Sequence, residues 1–588
     1  MSAPFPPIVN LDWWKGPNSF RLVYVFLTIV AIVGTTWAVR ASGSQPRQRD
    51  GSLFPGGRRR FFSAGTISSL LLVLLILAGY VTVVLKWEDF ADLDDSFFTL
   101  GTLSGHNLQP PIWPAAGRFF PLGRQEFNVV RHLTSSVVGY HVVPLAELLV
   151  ICSVLLLLTA PMEYRSRFAL IASVLIAPSI VVSFTGLVFP EIDVVFWLSL
   201  FLLSLMFFQS SGKTVWAVCA VLCAQNMVYY KETAFLLILG FAAGRLFLRC
   251  RPAGGEGWRF GRLREAESRL DFCLLFVVLL FALYFSIVMH HRMNLSYAGS
   301  QGVPRADALL YYLRLDPLAV LLVAIALLRG YLIGRRGWEP SLPWDALAAG
   351  AVACYAAYLY LRLCMPYYLA PVDFIAVLYI AWFLASAWRR TPRGGQAGIA
   401  ALLCVVFLYN GTLSAFRVYE RENMIHAKKR IADVILANGR DPRMASPTLF
   451  IPFVRPYLIS EFAAYLTHRG IPVRTYHQPP APQAPPPFTI ASEGYSADGA
   501  CVDYMDFVCH AQAKPAPGDL VIELPDGLES ESDIASWKSS GESLLSYQPR
   551  PVFARWLARR LPYLHVISHV WYRDLPDRWL SASVTLHE

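Results

Sequence analysis

Apolar residues follow one another in long runs along most of the chain, and short polar stretches separate the runs. Twelve runs are long enough, or nearly so, to cross a bilayer as helices: Leu22–Val39, Phe61–Leu85, Val142–Ala160, Phe168–Val188, Val194–Phe208, Val215–Tyr230, Ala234–Leu248, Phe272–Met289, Leu318–Ile333, Ala346–Leu363, Val372–Trp388 and Ala397–Tyr409. The shortest have about 15 residues and need interfacial extensions to cross a hydrocarbon core about 30 Å thick. The pattern predicts an α-helical polytopic membrane protein with about twelve transmembrane helices.

Lysine and arginine are concentrated in every second connection between these segments, which is how the cytoplasmic side of a membrane protein is recognised. The basic connections cover residues 40–60, 165–167, 213, 245–269, 329–336 and 389–393. With twelve segments, the N-terminus, the loop Lys86–His141 and the tail after Asn410 are then expected on the outward side. No A-x-A cleavage site follows Leu22–Val39, so this segment is predicted to be an uncleaved span.

The composition narrows the class of protein and accounts for much of its charge. Hydrophobic residues make up 55% of the 588 residues and charged residues only 16%, whereas an average soluble domain has about 25% charged residues. This excludes a cytosolic enzyme, a nucleic-acid regulator and a disordered scaffold. Much of the net charge of +10 belongs to the cytoplasmic loops, so it reports topology and implies no nucleic-acid partner.

Two regions outside the apolar segments are long enough to carry structure of their own. In the outward loop, the apolar pieces Phe97–Leu103 and Phe127–Val138 are predicted to be short interfacial helices. Gln109–Pro114 separates them, because its prolines cannot lie inside a continuous helix. The abrupt change to a polar composition in the tail predicts three parts: residues 1–60 with one helix and a basic loop, the membrane region 61–413, and an outward domain 414–588.

The tail is predicted to form a small α/β or α+β domain, because strands and helices alternate along it. The predicted elements are helices Glu420–Ala437 and Pro456–His468 and strands Thr448–Pro452, Ile471–Tyr476, Asp519–Leu524, His565–Trp571 and Ser581–Leu586. An oxidising compartment and an eight-residue spacing would permit a disulfide between Cys501 and Cys509. A metal site at this pair is the weaker alternative, since neither a CxxC spacing nor a second ligand pair is present.

Five carboxylates lie within eight residues directly after the second apolar segment. Two of them, Asp94 and Asp95, are adjacent and stand where the next apolar piece begins. Such residues could cap a helix and a solvated turn, for which aspartate is well suited. Alternatively, one of them is held at the membrane surface as a general base, and the neighbouring acid tunes its pKa.

Two other outward positions combine charges with the ends of apolar segments. Glu191 and Asp193 begin a segment just after a proline, where helix capping is the simpler explanation. Lys231 and Glu232 interrupt a very short turn between two spans, where charges are costly unless they are paired or functional. They could form an internal ion pair, or Lys231 could provide a cation for a phosphate.

Three more residues share the outward side with these acids and cations. Arg118 is a single cation among aromatic residues in the outward loop. Tyr367 and Tyr368 stand at the outer mouth of a span, where anchoring in the interfacial aromatic belt is the favoured explanation. Because all these groups are expected on one side of the membrane, they could converge on one interfacial cavity.

These motifs resemble those of the GT-C superfamily of polytopic glycosyltransferases in their order along the chain and in the side of the membrane on which they are expected. The superfamily includes the aminoarabinose and mannose transferases. The motifs are Asp94-Asp95, Pro190-Glu191, Tyr230-Lys231-Glu232 and Tyr367-Tyr368-x-x-Pro371, together with the long first outward loop and the outward C-terminal domain. The resemblance covers the membrane part to about Tyr409 and does not extend to the tail. The chain departs from the family in having a span and a basic loop before the acidic motif.

The resemblance implies a glycosyltransferase that takes a sugar from a polyprenyl phosphate and passes it to a glycan, lipid or protein hydroxyl. It implies that Asp94 or Asp95 is the general base of a single, inverting displacement and that Lys231 and Arg118 neutralise the phosphate leaving group. The other expected substrate-binding residues are Glu191, Asp193, Glu232, Tyr367 and Tyr368. Outward carboxylates could hold a divalent cation. The expected location is a bacterial inner membrane, with the active site and the tail on the periplasmic side.

Two other classes of function compete with this prediction. A transporter or flippase of lipid-linked sugars would place charged or broken-helix sites near the bilayer midplane and often shows a repeat of its two halves. An O-antigen polymerase or ligase would use outward arginine and histidine in a large loop late in the membrane part. Here the acids lie at the outer rim, no repeat is visible, and the large loop comes early in the chain.

Overall fold

Apolar helices make up the larger part of the molecule. The computed structural model describes residues 17–41, 64–87, 99, 101–103, 107–113, 117–251, 260–289, 304–336, 338–363, 365–387, 392–438, 448–452, 456–474, 487–492, 509–512, 514–524, 540–547 and 582–587. Its membrane region contains helices α1 (Pro17–Arg40), α2 (Ala64–Trp87), α3 (Phe127–Val130), α4 (Val137–Leu158), α5 (Tyr164–Leu175), α6 (Pro178–Thr185), α7 (Glu191–Ser211), α8 (Thr214–Tyr230), α9 (Ala234–Cys250), α10 (Ala266–Met289), α11 (Arg305–Leu315), α12 (Pro317–Arg336), α13 (Leu342–Leu361), α14 (Ala370–Ala387) and α15 (Arg393–Asn438).

Each of the predicted apolar segments overlaps one of these helices, except that Phe168–Val188 is divided between α5 and α6. These two helices meet at an angle of 61°, and Pro178 begins the second one, since a proline is well tolerated in the first turn of a helix. Among the described residues, nine helices are long and apolar enough to cross a membrane, or ten if this bent pair is one span. The polytopic helical class is therefore confirmed, while the number twelve stays a prediction.

Close contacts between helices hold the bundle together at both ends. A Cβ atom added to Gly240 of α9 would lie 2.6 Å from the Cα atom of Gly350 of α13, so glycine at both positions allows the two backbones to touch. Nearer the C-terminal end of α9, the buried side chain of Arg245 lies 3.3 Å from the carboxylate of Asp271 on α10. Small residues and a buried ion pair thus fix α9 between its two neighbours.

The outward loop has less helix than the sequence predicts. Its strands β1 (Ile112–Trp113) and β2 (Arg118–Phe119) form a short antiparallel hairpin. The predicted helix Phe127–Val138 is wrong in extent: α3 ends at Val130 and α4 begins only at Val137. The backbone N–H of Ser136 donates to Oγ1 of Thr134, and such local side-chain bonds compete with helix formation. Of Phe97–Leu103, the described residues 99 and 101–103 are helical.

The described residues of the C-terminal region form a mixed six-stranded sheet with one helix, which confirms a small domain containing both helix and sheet. The elements are β3 (Thr448–Ile451), α16 (Pro456–His468), β4 (Thr489–Ser492), β5 (Cys509–Ala511), β6 (Leu520–Glu523), β7 (Gly541–Tyr547) and β8 (Ala582–His587). The strand order is β5-β4-β3-β6-β8-β7. The first four of these are parallel, and β8 is antiparallel to both of its neighbours.

Three details of this domain differ from the prediction or lie beyond it. Of the predicted strand Ile471–Tyr476, the described residues 471–474 form one bridge, between Val473 and Phe488, in keeping with the missing backbone donor of Pro472. The strand β7 has no predicted counterpart. The predicted strand His565–Trp571 lies outside the described residues.

The long helix α15 joins the bundle to the sheet. It runs without a break for 46 residues, so the predicted boundary between residues 413 and 414 falls inside it. Its outer part contributes Ala427, Ile431 and Ile435 to a core that also contains residues of the sheet and of the outward loop, among them Phe127 and Tyr140. The C-terminal domain therefore shares a hydrophobic core with the loop Lys86–His141 and with the second half of α15.

Candidate active site

The outward loop is fixed directly over the outer end of α8. The backbone N–H of Leu122 donates to the carbonyl oxygen of Tyr229 over 3.1 Å. Phe119, which is fully buried, packs edge to face on the ring of Tyr229 at a centroid distance of 6.2 Å. These contacts bring Arg118 and Phe120 of the loop next to the residues that follow α8.

Lys231 and Glu191 form a buried ion pair at this point. The Nζ atom of Lys231 lies 2.7 Å from Oε1 of Glu191, and the two side chains are 4% and 0% exposed. The helix α8 ends at Tyr230, and Glu191 stands in the first turn of α7, where the helix dipole favours a carboxylate. The sequence motifs on two different helices therefore meet in space.

Two aromatic rings enclose the ammonium group of Lys231. Its Nζ atom lies 4.5 Å from the ring centroid of Tyr368 and 5.8 Å from that of Phe120, both within the range of cation–π attraction. Tyr368 is 2% exposed, so it is not an anchor in the lipid interface. Its ring in turn lies 5.5 Å from that of Tyr358, whose hydroxyl is 2.7 Å from Oγ1 of Thr233.

Arg118 and Glu232 form a second ion pair beside the first. The Nε atom of Arg118 lies 2.7 Å from Oε1 of Glu232, and the side chains are 11% and 18% exposed. The Arg118 guanidinium also lies 4.8 Å from the ring centroid of Phe120. Phe120 thus contacts both cations.

The predicted site residues fall into three groups. Glu191, Lys231, Arg118, Glu232 and Tyr368 come together around Phe120. Tyr367 stands beside this group, with its ring 4.5 Å from that of Tyr368 and 4.4 Å from that of Phe189. Asp94 and Asp95 lie outside the described residues, as does Cys501, so their predicted roles remain predictions, and Cys509 begins β5.

Asp193 faces a neighbouring set of acids instead of Lys231. Its carboxylate, 6% exposed, interacts electrostatically with Glu126 of the outward loop and with Glu147 of α4. The hydroxyl of Tyr230 lies within reach of the same three acids. Glu126 and Glu147 were not among the predicted site residues, because an isolated acid in a loop and one acid in a helix have no distinctive spacing.

Glu126 is the member of this set that lies outside the membrane helices. Its Oε2 atom is buried and has no hydrogen-bond partner among the described residues. Burial raises the pKa of Glu126 to about 7, and the nearby Arg124 offsets only part of this effect. The folded protein therefore holds the proton of this carboxyl group more tightly than the unfolded chain does.

This shift predicts a pH dependence of stability that Glu126→Gln removes. The folded state binds the Glu126 proton more tightly than the unfolded state does, so its contribution to stability is complete below about pH 4.5 and is lost as the pH rises through about 7. The midpoint temperature of thermal unfolding in detergent is measured between about pH 5 and pH 8. It should fall less steeply with rising pH in Glu126→Gln than in the wild type. The same change at the exposed Glu163 should leave the slope unaltered, and an unaltered slope in Glu126→Gln would contradict the assignment.

No cluster of metal ligands accompanies these acids in the part of the chain that the structure describes. No group of three or more His, Cys, Asp or Glu side chains among those residues could hold a metal ion. The carboxylates near Phe120 are instead engaged by Lys231 and Arg118. The acidic segment around Asp94 lies outside the described residues.

Two crystal structures are among the solved structures that this chain resembles. The crystal structure of ArnT from Cupriavidus metallidurans bound to undecaprenyl phosphate is 14% identical, covers 88% of this chain and 97% of that chain, and gives a TM-score of 0.44. The Archaeoglobus fulgidus oligosaccharyltransferase in complex with Zn and sulfate is 14% identical over 66% of this chain and 61% of that chain, with a TM-score of 0.35. No family model and no curated protein matches the sequence. At these identities and TM-scores the two structures assign no substrate and no residue role to this chain.

Proposed function

We propose that the chain is a membrane glycosyltransferase that moves a sugar from a polyprenyl phosphate to a hydroxyl group of an extracytoplasmic glycan, lipid or protein. The observation that carries this proposal is the pair of cations around Phe120. Lys231 and Arg118 come from different parts of the chain, are largely removed from water, and lie at the end of the bundle that the basic loops predict to be outward.

The site has the features needed to bind the phosphate of a membrane lipid. A cation in a partly dehydrated, aromatic environment stabilises a nearby negative charge more than a cation in water does. The lipid phosphate group lies at headgroup depth, which is where the outer ends of α7 and α8 would stand. An entering phosphate would share Lys231 with Glu191 and Arg118 with Glu232, so that both cations remain paired throughout.

The chemistry then follows as a single displacement. Asp94 or Asp95 removes the proton of the acceptor hydroxyl, the acceptor oxygen forms a bond to the anomeric carbon, and the bond from that carbon to the phosphate oxygen breaks with inversion. The electron pair leaves with the phosphate, where Lys231 and Arg118 stabilise the added charge. A divalent cation held by the acidic segment would lower the same barrier by neutralising this charge.

The C-terminal domain is proposed to recognise the acceptor. It shares a hydrophobic core with the outward loop that carries Arg118 and Phe120. An acceptor bound at the domain would therefore be held close to the phosphate site, which supports catalysis by restricting the reactants to a productive approach.

A reconstitution experiment tests the function directly. Purified protein in liposomes is given a cell-envelope extract that contains polyprenyl-phosphate sugars together with glycan, lipid and protein acceptors, and the release of free polyprenyl phosphate is measured together with the movement of intact donor across the bilayer. Cleavage of the bond between sugar and phosphate, reduced in Lys231→Met, is the expected result. Movement of intact donor without cleavage would instead identify a flippase.

Replacing Arg118 should affect the donor more than the acceptor. Arg118→Gln is expected to raise the donor KM about tenfold, because a factor of ten corresponds to the loss of roughly one charge-assisted hydrogen bond. The acceptor KM should change little. Glu232→Gln is the matched control, because it frees Arg118 and should not raise the donor KM. Steady-state rates with each substrate varied in turn provide the measurement, and equal effects of both variants would contradict a phosphate role for Arg118.

A further inference from the structure

Arg421, on the outer half of α15, is a buried cation without a role in the proposed chemistry. Its side chain is 7% exposed. Its Nη1 atom donates to the carbonyl oxygen of Val182 over 2.6 Å and also to Oγ1 of Thr185, both on α6. The guanidinium is therefore fixed at the end of α6, just before the loop that leads into α7.

The same guanidinium lies against the first of a row of aromatic rings. Its carbon Cζ is 5.4 Å from the ring centroid of Phe189. The Phe189 ring lies 4.4 Å from Tyr367, and Tyr367 lies 4.5 Å from Tyr368. Because Tyr368 contacts the ammonium group of Lys231, an unbroken series of ring contacts leads from Arg421 to the phosphate site.

The loop at the start of this row has no spare space. A Cβ atom added to Gly186 would lie 2.3 Å from the Phe189 ring and 3.3 Å from Nη2 of Arg421. Only glycine lets the loop close under the ring and the guanidinium at once. Phe189 is also two residues before Glu191, so a shift of its ring would displace both the carboxylate and the tyrosines around Lys231.

The segment of α15 that carries Arg421 is tied to the outer domain. Asn423 accepts a hydrogen bond of 3.0 Å from the hydroxyl of Tyr547 in β7. On the preceding residue, Oε1 of Glu422 lies 2.5 Å from Nζ of Lys86 at the end of α2. The outer domain, the outer end of α2 and the outer end of α6 therefore meet within three consecutive residues of α15.

We propose that Arg421 is a positioning residue that sets the affinity of the Lys231 site for the lipid phosphate, and that it links this affinity to the placement of the outer domain. Arg421 acts on Phe189, and Phe189 acts through Tyr367 and Tyr368 on the ammonium group. The proposal rests on the proposed function, since it takes the phosphate as the ligand of Lys231. It makes the outer domain a regulator of donor binding in addition to a surface for the acceptor.

The test compares four variants of the full-length protein in nanodiscs. Arg421→Gln removes the charge, Arg421→Lys keeps it, and Phe189→Leu removes the first ring while leaving the Arg421 hydrogen bonds to α6 in place. Arg417→Gln is the matched control, because Arg417 lies one turn earlier on α15 and forms an ion pair of 2.5 Å with Glu420 of its own helix. Undecaprenyl phosphate is the binding probe, and the thermal unfolding midpoint is recorded for every variant.

Arg421→Gln and Phe189→Leu are each expected to weaken binding of undecaprenyl phosphate and to raise the donor KM by about tenfold, with kcat changed less than about twofold. Arg421→Lys should recover part of the affinity, and Arg417→Gln should match the wild type. A purely structural role of Arg421 would lower the unfolding midpoint without this separation of KM from kcat, and Phe189→Leu would then leave binding unchanged. Either result overturns the proposal.

Lys231→Met distinguishes failure of this inference from failure of the proposed function. If Lys231→Met weakens binding of undecaprenyl phosphate while Arg421→Gln and Phe189→Leu do not, the phosphate site stands and the positioning role is wrong. If Lys231→Met leaves binding unaltered, the phosphate site itself is wrong. If all three variants weaken binding, both conclusions are supported.

Discussion

Exchange of the catalytic aspartate for asparagine is expected to reduce sugar transfer by about a hundredfold or more, the usual contribution of a general base. In the proposed mechanism the base is either Asp94 or Asp95, so only one of Asp94→Asn and Asp95→Asn should show the full loss. The other should show the smaller effect of a neighbour that tunes the pKa of the base. Initial rates in membranes with matched expression provide the measurement.

Asp89→Asn is the control for this pair, because Asp89 belongs to the same acidic segment and has no assigned role. It should retain most of the activity. Full activity in both Asp94→Asn and Asp95→Asn would exclude the assigned base. A loss of similar size in Asp89→Asn would instead indicate that the segment acts through its total charge, for example by holding a divalent cation.

Lys231→Met is expected to have the second large effect, because it should lower both the rate of transfer and the stability of the protein. Loss of the cation removes stabilisation of the leaving phosphate, which should lower kcat by about a hundredfold or more. It also leaves the fully buried Glu191 without its partner, and breaking a buried ion pair from one side destabilises a protein by about 3–5 kcal/mol. A loss of activity in this variant alone could therefore reflect partial unfolding.

A double variant separates the two effects. Lys231→Gln with Glu191→Gln removes both charges, so no unpaired carboxylate remains and the unfolding midpoint should return close to that of the wild type. Transfer should remain as low as in Lys231→Met. Recovery of transfer in the double variant would show that Lys231 serves only to neutralise Glu191. Thermal unfolding in detergent and transfer rates are measured on the same preparations.

The sequence predicted the helical membrane fold because the solvent imposes it. Within a bilayer every backbone donor and acceptor must be satisfied by the segment itself, so long apolar runs leave helices as the main solution. The bend between α5 and α6 lies at Pro178. The apolar run Phe168–Val188 continues across this proline, so hydropathy alone does not reveal the bend. The extent of α3 was missed for a similar reason, since the apolar pattern continued through Thr134 and Ser136, whose side chains favour a turn.

The charged residues around Phe120 were also predictable as one group from the sequence, because the alternation of spans determines which loops lie on the same side of the membrane. The sequence could not assign their partners. Lys231 and Glu232 were candidates for a pair with each other, but the backbone at Lys231 is extended, with φ −149° and ψ 122°. Successive side chains of an extended backbone point in opposite directions. Lys231 therefore pairs with Glu191, and Glu232 pairs with Arg118, both distant in sequence.

The residues that the sequence did not single out act through contacts that have no sequence signature. Phe120, Phe189 and Tyr358 are aromatic residues among 80 in the chain, so composition cannot rank them. Arg421 is one arginine in a long helix, and its burial depends on a close approach to α6 that only the fold creates. Such residues can be identified only from a structure that shows which ion pairs they contact.

The two crossed ion pairs around Phe120 have a consequence for selectivity among anions. Because each cation already has a carboxylate partner, the site has little excess positive potential, and soluble ions such as chloride or inorganic phosphate gain little by entering it. A phosphate that arrives on a lipid is different, since its chain remains in the bilayer and supplies the additional favourable interactions. If the site binds a lipid phosphate as proposed, recognition of the headgroup depends on the membrane anchor, and the protein would work amid a large excess of free anions without a gate that excludes them.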